Sequence, residues 1–248
     1  MNVLAPPDGA TAPEEAATPA TAPERWVGAR ATILAEAPRW HRGRRLTRSM
    51  PGYIAPEPFC DAILARALAD RAFLDPRERR DFFDWATAQP GVRALLPVVA
   101  AHDLLARGDV AGATRHLDLA LRLDQEDLYA QELWFAAQGT PIRPVDTATR
   151  MCPNPFDRAE SASRNRLMFC CPAWLPVPFG RIEDGSVEEV WNSTAAQDIR
   201  ASIHDGSYRY CSRMHCPMFS ADAMPHVDDI TNPDLQEVHR TKATVLPP

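Results

Sequence analysis

Residues 211–216 read CSRMHC, a short knuckle whose two terminal cysteines can deliver two thiolates to one site. Three more cysteines lie upstream in the same part of the chain, Cys152 and the vicinal pair Cys170 and Cys171. A hairpin that turns near Asn165 would bring Cys152 beside Cys170, because asparagine tolerates the positive φ that such turns require. The sequence therefore predicts a compact module built around a metal centre.

The donor set of this module consists of thiolates. Four thiolates in two distant pairs suit either a tetrahedral zinc ion or a 4Fe-4S cluster, and their spacing alone does not separate the two. His215 adds a nitrogen that zinc could use. The sixth cysteine, Cys60, stands on an apolar helical face beside Phe59 and Ile63, where it is expected to be a buried small hydrophobe and not a ligand.

Composition narrows the classes of partner. The chain has 248 residues, with 27 Lys and Arg against 33 Asp and Glu, so its net charge of -6 offers no broad positive field for nucleic acid. No apolar run is long enough for a membrane span and no secretory signal is evident, which indicates a cytoplasmic protein. Because cysteines stay reduced in that compartment, their grouping indicates metal or redox chemistry instead of disulfides.

The chain divides into five parts by composition. Residues 1–24 are rich in Ala, Pro and Thr and are expected to be a disordered tail, since they have too few large apolar side chains to form a core. Residues 25–139 are expected to be helical, with the basic cluster at 39–45 as a solvated segment. An extended linker at 140–149 precedes the metal module at 150–219, and an acidic to polar tail follows at 220–248. The fold class is therefore α+β.

A helix pair is expected at about 95–138. The stretch from Gly108 to Asp124 resembles the second half of a tetratricopeptide repeat, and the helix before it fits the first half. Small residues at Gly108, Ala113 and Ala120 would let the two helices approach closely. This resemblance favours a structural scaffold, with peptide binding as the alternative.

Short helices and one β-hairpin are expected within the metal module. Ser186 with Glu189 forms a capping box ahead of one helix, and Thr194 with Gln197 forms another ahead of the next. Asp205 followed by glycine is typical of a helix stop that turns the chain towards the final cysteines.

The order of these features resembles the SPASM/twitch auxiliary-cluster domains, which lie at the carboxyl end of many radical S-adenosylmethionine enzymes. The likeness rests on a set of matched positions, Cys152, Asn165, Cys170, Gly180, 187–192, 197–200, Cys211 and Cys216. In that family a glycine is usual where Asn165 stands, and the fuller version carries more cysteines for a second cluster. The resemblance implies one 4Fe-4S cluster.

The resemblance also implies the ligands, which are Cys152, Cys170, Cys211 and Cys216. Cys171 is the alternative to Cys170, because adjacent residues at a strand end point in opposite directions and only one faces the metal.

The expected role is that of an accessory protein and not of an enzyme. The chain has no CxxxCxxC loop and too little length for a radical S-adenosylmethionine core, and no other catalytic motif is evident. We expect a 4Fe-4S protein that transfers electrons to a separately encoded radical or redox enzyme or positions its peptide substrate. The alternative is an adaptor protein in which zinc staples the module and the helices bind a protein partner.

Overall fold

The structure is a computed structural model that describes residues 22–237. The expected disordered tail, 1–24, lies outside the described residues up to position 21, and Glu24 already begins the first helix. Residues 238–248 of the expected carboxyl-terminal tail also lie outside them. Residues 22–237 are mainly helical with one small antiparallel sheet, which confirms the α+β class.

Helices fill the first half of the described chain. Their bounds are α1 (Glu24–Ala35), α2 (Ala37–Gly43), α3 (Pro56–Ala67), α4 (Pro76–Ala88), α5 (Leu95–Ala106), α6 (Val110–Leu123) and α7 (Leu128–Ala137). Helix α5 is apolar around its whole circumference, and it packs against all six of the others. Among the described residues, no helix combines the length and the apolar content needed to cross a bilayer.

The predicted helix pair consists of α5 and α6, which pack closely along their length. Ala113 and Ala120 are fully buried between helices, as expected for small residues at a close approach. Gly108 has a different role from the one predicted, because it forms the turn with a φ of +78° and has open space around it. The helix pair is present, whereas its resemblance to a tetratricopeptide repeat stays a prediction.

The basic segment at 39–45 is solvated only in part. Arg39, His41 and Arg42 are exposed, whereas Trp40 and Arg44 contact carboxylates inside the chain. Arg44 forms an ion pair with Asp124, and its side chain is only 5% exposed. The indole nitrogen of the buried Trp40 donates a hydrogen bond of 2.8 Å to Asp127. These contacts fasten α2 to the turn between α6 and α7.

The second half of the described chain forms the metal module. Its elements are α8 (Asn154–Asp157), β1 (Glu160–Ala162), β2 (Arg166–Met168), β3 (Gly180–Arg181), α9 (Val187–Trp191), α10 (Thr194–His204) and α11 (Pro217–Ser220). The strands are antiparallel in the order β1-β2-β3, with Ala162 opposite Arg166 in the hairpin. Arg164 and Asn165 have φ values of 61° and 55°, so the predicted turn at this position is confirmed.

The helix starts of the module differ in one respect from the prediction. Ser186 and Glu189 form the predicted capping box at the start of α9. Helix α10, however, is capped by Ser193, whose hydroxyl accepts a hydrogen bond from the Ala196 N–H, so the predicted cap at Thr194 was one residue late. Asp205 ends α10 and Gly206 turns the chain with a φ of +73°, as expected.

Segments on both sides of the module pack against it. In the predicted linker, the Val145 N–H donates a hydrogen bond of 2.7 Å to the Gly206 carbonyl. After α11, Met224, Ile230 and Leu235 are buried against the module, although the sequence placed them in a polar tail. The prediction missed them because single apolar residues among prolines and acids give no periodic pattern. The module therefore includes residues well beyond position 219.

Candidate metal centre

Four cysteines from four separate places in the module line one cavity. Cys152 precedes α8, Cys170 follows β2, Cys211 lies on the turn after α10, and Cys216 is the residue before α11. These are the four positions that the sequence pattern selected as ligands. That they ligate a metal stays a prediction.

The backbone at Cys152 is held by a tyrosine. The Tyr208 hydroxyl accepts a hydrogen bond of 3.0 Å from the Cys152 N–H, and the Tyr208 side chain is 1% exposed. Tyr208 has a φ of +46°, which is uncommon for a residue with a large side chain and marks a tightly constrained turn. Cys152 itself does not lie on a strand of the hairpin, because α8 separates it from β1.

The knuckle from Cys211 to Cys216 is anchored through Ser212. The Ser212 N–H donates a hydrogen bond of 2.7 Å to the Trp174 carbonyl, and the Cys216 N–H donates one of 3.1 Å to the Ser212 carbonyl. The buried Ser212 hydroxyl donates to Gln131 on α7, at 3.1 Å. The knuckle is thus tied both to the module and to the helical region.

Cys170 and Cys171 differ in their positions. Cys170 is buried and lines the cavity, whereas Cys171 is half-buried and does not. The Cys171 carbonyl accepts hydrogen bonds from the N–H groups of Trp174 and Leu175, so this residue shapes the turn that follows the strand.

The other two candidate donors lie away from the cavity. Cys60 is fully buried on α3 in the core of the helical region, as the sequence predicted. The His215 Nε2 atom is 3.3 Å from the Gln125 carbonyl oxygen, at the turn between α6 and α7. His215 is therefore directed away from the four thiols.

The cavity is lined mainly by apolar side chains. The residues that share it with the cysteines include Trp174, Leu175, Ile203, Tyr208, Met218, Phe219 and Met224. Met168 and Phe169, which come directly before Cys170 in the sequence, do not line the cavity. Phe169 is buried nearby, where it stacks on Phe179 with ring centroids 4.0 Å apart.

Burial also sets the protonation of the thiols. Burial, followed by the nearby Cys216, raises the pKa of Cys152 to about 11. The pKa values of Cys170, Cys211 and Cys216 are raised as well, with burial as the first cause in each case. Thiolates at these positions require a positive charge that compensates for their burial, and a bound metal supplies it.

The four cysteines surround the cavity and do not converge on one point. Among residues 22–237, no three side chains of His, Cys, Asp or Glu lie close enough together to hold a single metal ion. Around one tetrahedral zinc, Zn–S bonds of about 2.3 Å would place all four sulfurs within about 4 Å of one another.

The comparisons with known proteins identify this part of the chain. Residues 152–217 match the family model of SPASM, an iron-sulfur cluster-binding domain. The match confirms the resemblance that the cysteine pattern indicated, and it contains all four cysteines of the cavity. No curated protein and no solved structure matches the chain.

Proposed function

We propose that the iron-sulfur cluster-binding domain at residues 152–217 holds one 4Fe-4S cluster through four cysteines, Cys152, Cys170, Cys211 and Cys216. We further propose that the protein is an accessory partner of a separately encoded radical S-adenosylmethionine or redox enzyme. Its role there is to transfer electrons or to position a peptide substrate.

The observation that carries the proposal is the shared cavity of four cysteines within the matched domain. Thiolates are the usual ligands of such clusters, and the four cysteines line the cavity without converging on one point. Trp174, Leu175 and Phe219 keep water from the cavity, and this exclusion is one of the factors that set the potential of a cluster. When bound, the cluster would supply one-electron transfer.

The accessory role is supported by the helical region that precedes the domain. This region has a core of its own, made of residues between 29 and 130. A scaffold of this kind can dock a module onto a partner without contributing chemistry itself.

The test is anaerobic purification with reconstitution, followed by iron, sulfide and zinc analysis and a visible spectrum. We expect a brown protein with about four iron and four sulfide per chain. Cys152→Ala and Cys211→Ala should lose the iron. Cys171→Ala is the matched control, and it should keep the iron because Cys171 lies outside the cavity.

The second candidate function is a zinc-stapled adaptor, which four thiolates also permit. A colourless protein that carries about one zinc per chain would support it and would remove the electron-transfer proposal. Loss of iron in Cys171→Ala, with retention in Cys152→Ala, would overturn the proposed ligand set.

A further inference from the structure

A second cavity of about 320 Å³ opens between the helical region and the metal module. Its walls are formed by residues 44–56, by α7 and by residues 207–213. This volume lies within the usual range for small-molecule sites, and it is too small for a folded partner. Tyr208 and Cys211 line both this cleft and the metal cavity, so the two cavities share a wall.

One side of the cleft carries arginines. Arg209 is paired with Asp205, whereas Arg48 and Arg213 form no ion pair with any carboxylate of the described residues. Arg213 donates a hydrogen bond of 2.7 Å to the Ser207 carbonyl, and its guanidinium lies 4.0 Å from the centroid of the Phe219 ring. Because the whole chain is acidic, this basic wall is a local feature.

Arg48 belongs to the wall of residues 44–56, which adjoins the wall of Arg213. The backbone N–H of Arg48 donates a hydrogen bond of 3.2 Å to the Tyr210 hydroxyl, which fixes this residue beside the 207–213 segment. Guanidinium groups of this kind recognise carboxylates with two parallel hydrogen bonds.

The α7 side of the cleft carries an acid. Glu132 lines the cleft and forms no ion pair with any cation among residues 22–237. Glu132 is exposed at the cleft, and the atoms packed around it, followed by the neighbouring Glu57 carboxylate, raise its pKa. A second acid therefore lies at this end. A cation placed here would relieve the repulsion between the two carboxylates.

We propose that this cleft binds a zwitterion, either a free amino acid or a short peptide, with its carboxylate at Arg213 and Arg48 and its ammonium at Glu132. A simple anion would be repelled by Glu132, and a simple cation would be repelled by the arginines. A molecule with both charges satisfies both ends of the cleft. This inference goes beyond the proposed function and does not depend on which metal the module holds.

Saturation-transfer NMR of the full, metal-loaded protein provides the test, with trialanine as the probe. N-acetyl-trialanine lacks the ammonium and trialanine amide lacks the carboxylate. We expect each to bind about tenfold more weakly than trialanine, since one charge-assisted hydrogen bond contributes roughly that factor. Equal binding of all three, no binding of trialanine, or stronger binding of inorganic phosphate would overturn the proposal.

Variants assign the two ends of the ligand. Glu132→Gln should weaken trialanine about tenfold and bind the anionic N-acetyl-trialanine as well as before or better, because a repelling carboxylate is lost. Arg213→Gln should weaken trialanine and bind the cationic trialanine amide as well as before or better. If Arg213→Gln fails to fold, the exposed Arg48→Gln carries the same test. Glu188→Gln and Arg93→Gln are matched controls, because both residues are exposed and lie outside the cleft.

The result is distinguishable from the outcome for the metal, because iron is measured on the same samples. Iron-loaded protein that does not bind trialanine overturns the zwitterion site and leaves the proposed function intact. Zinc-loaded protein that binds trialanine, and whose variants respond as expected, overturns the proposed iron-sulfur function and leaves the zwitterion site intact.

Discussion

The Tyr208 hydroxyl is the acceptor for a backbone N–H of a proposed ligand, Cys152. Tyr208→Phe removes this acceptor and leaves a partly buried donor unpaired, so the free energy of unfolding of the module should fall by about 1–3 kcal/mol. Hydrogen exchange of the module's amides at increasing urea concentration measures the change. Its control is Tyr210→Phe. The Tyr210 hydroxyl accepts a hydrogen bond from the backbone N–H of the exposed Arg48, and this N–H can bond to water when the hydroxyl is removed.

The loss in Tyr210→Phe should stay below about 1 kcal/mol. An equal loss of unfolding free energy in the two variants would show that the hydrogen bond to Cys152 does not stabilise the module more than the bond to Arg48 does. At this scale the protein depends on single hydrogen bonds that fix where a cysteine backbone lies.

At the scale of the helices, two aspartates do the same task in different surroundings. Asp127 caps α7 by accepting hydrogen bonds from the N–H groups of Tyr129 and Ala130, and it is also bonded to Trp40. Asp75 caps α4 by accepting one hydrogen bond from Arg77, and it is exposed.

Asp127→Ala should therefore destabilise the protein by about 3–5 kcal/mol, because Arg44 beside it loses one of its two partner carboxylates in a buried site. Asp75→Ala should cost about 1 kcal/mol, the usual cost of losing an exposed cap. Thermal unfolding of both variants beside the wild type gives the comparison. A smaller loss for Asp127→Ala than for Asp75→Ala would contradict this account of α2 and α7.

Two glycines that follow helices offer a second contrast. Gly139 after α7 and Gly206 after α10 have φ values of 69° and 73°, but only Gly206 has backbone close to the place where a Cβ would stand. Gly139→Ala should cost about 1–2 kcal/mol, the cost of the left-handed conformation. Gly206→Ala should cost more, since an added Cβ would overlap with the Val145 carbonyl and push the linker away. Chemical denaturation of the two variants tests this order. A larger loss of stability in Gly139→Ala than in Gly206→Ala would refute it.

At the scale of the whole molecule, the helical region and the metal module have separate hydrophobic cores within the described residues. Removing the metal should therefore loosen α9 and α10 while α5 and α6 remain folded. Hydrogen exchange of the loaded and metal-free protein should show loss of protection confined to residues after about 145. Equal loss of protection in α5 would mean that the two regions fold as one unit.

The parts of this molecule that the sequence could predict are those with local causes. The turn at Asn165 and the capping box of Ser186 and Glu189 depend on residues close in sequence, and both are confirmed. Adjacent Ser193 and Thr194 are chemically similar caps, so local chemistry alone could not choose between them.

The parts that the sequence could not predict depend on contacts between distant residues. Arg44 and Asp124 are 80 positions apart, and neither shows a periodicity that indicates its partner. The burial of Leu235 likewise depends on the shape of the module and not on its neighbours in sequence. The four cysteines line one cavity, and the sequence could group them because cysteine has fewer common roles than arginine or leucine.

The wall shared by the cleft and the metal cavity affects how fast dioxygen would reach a group bound in the metal cavity. Tyr208 and Cys211 line both spaces, so the cleft lies directly against the side of the metal cavity that Cys211 forms. A molecule seated in the cleft would cover that side and slow the approach of dioxygen to the thiols. The rate at which the visible absorbance of a bound cluster is lost in air, with and without trialanine, would then report how much of the time the cleft is unoccupied.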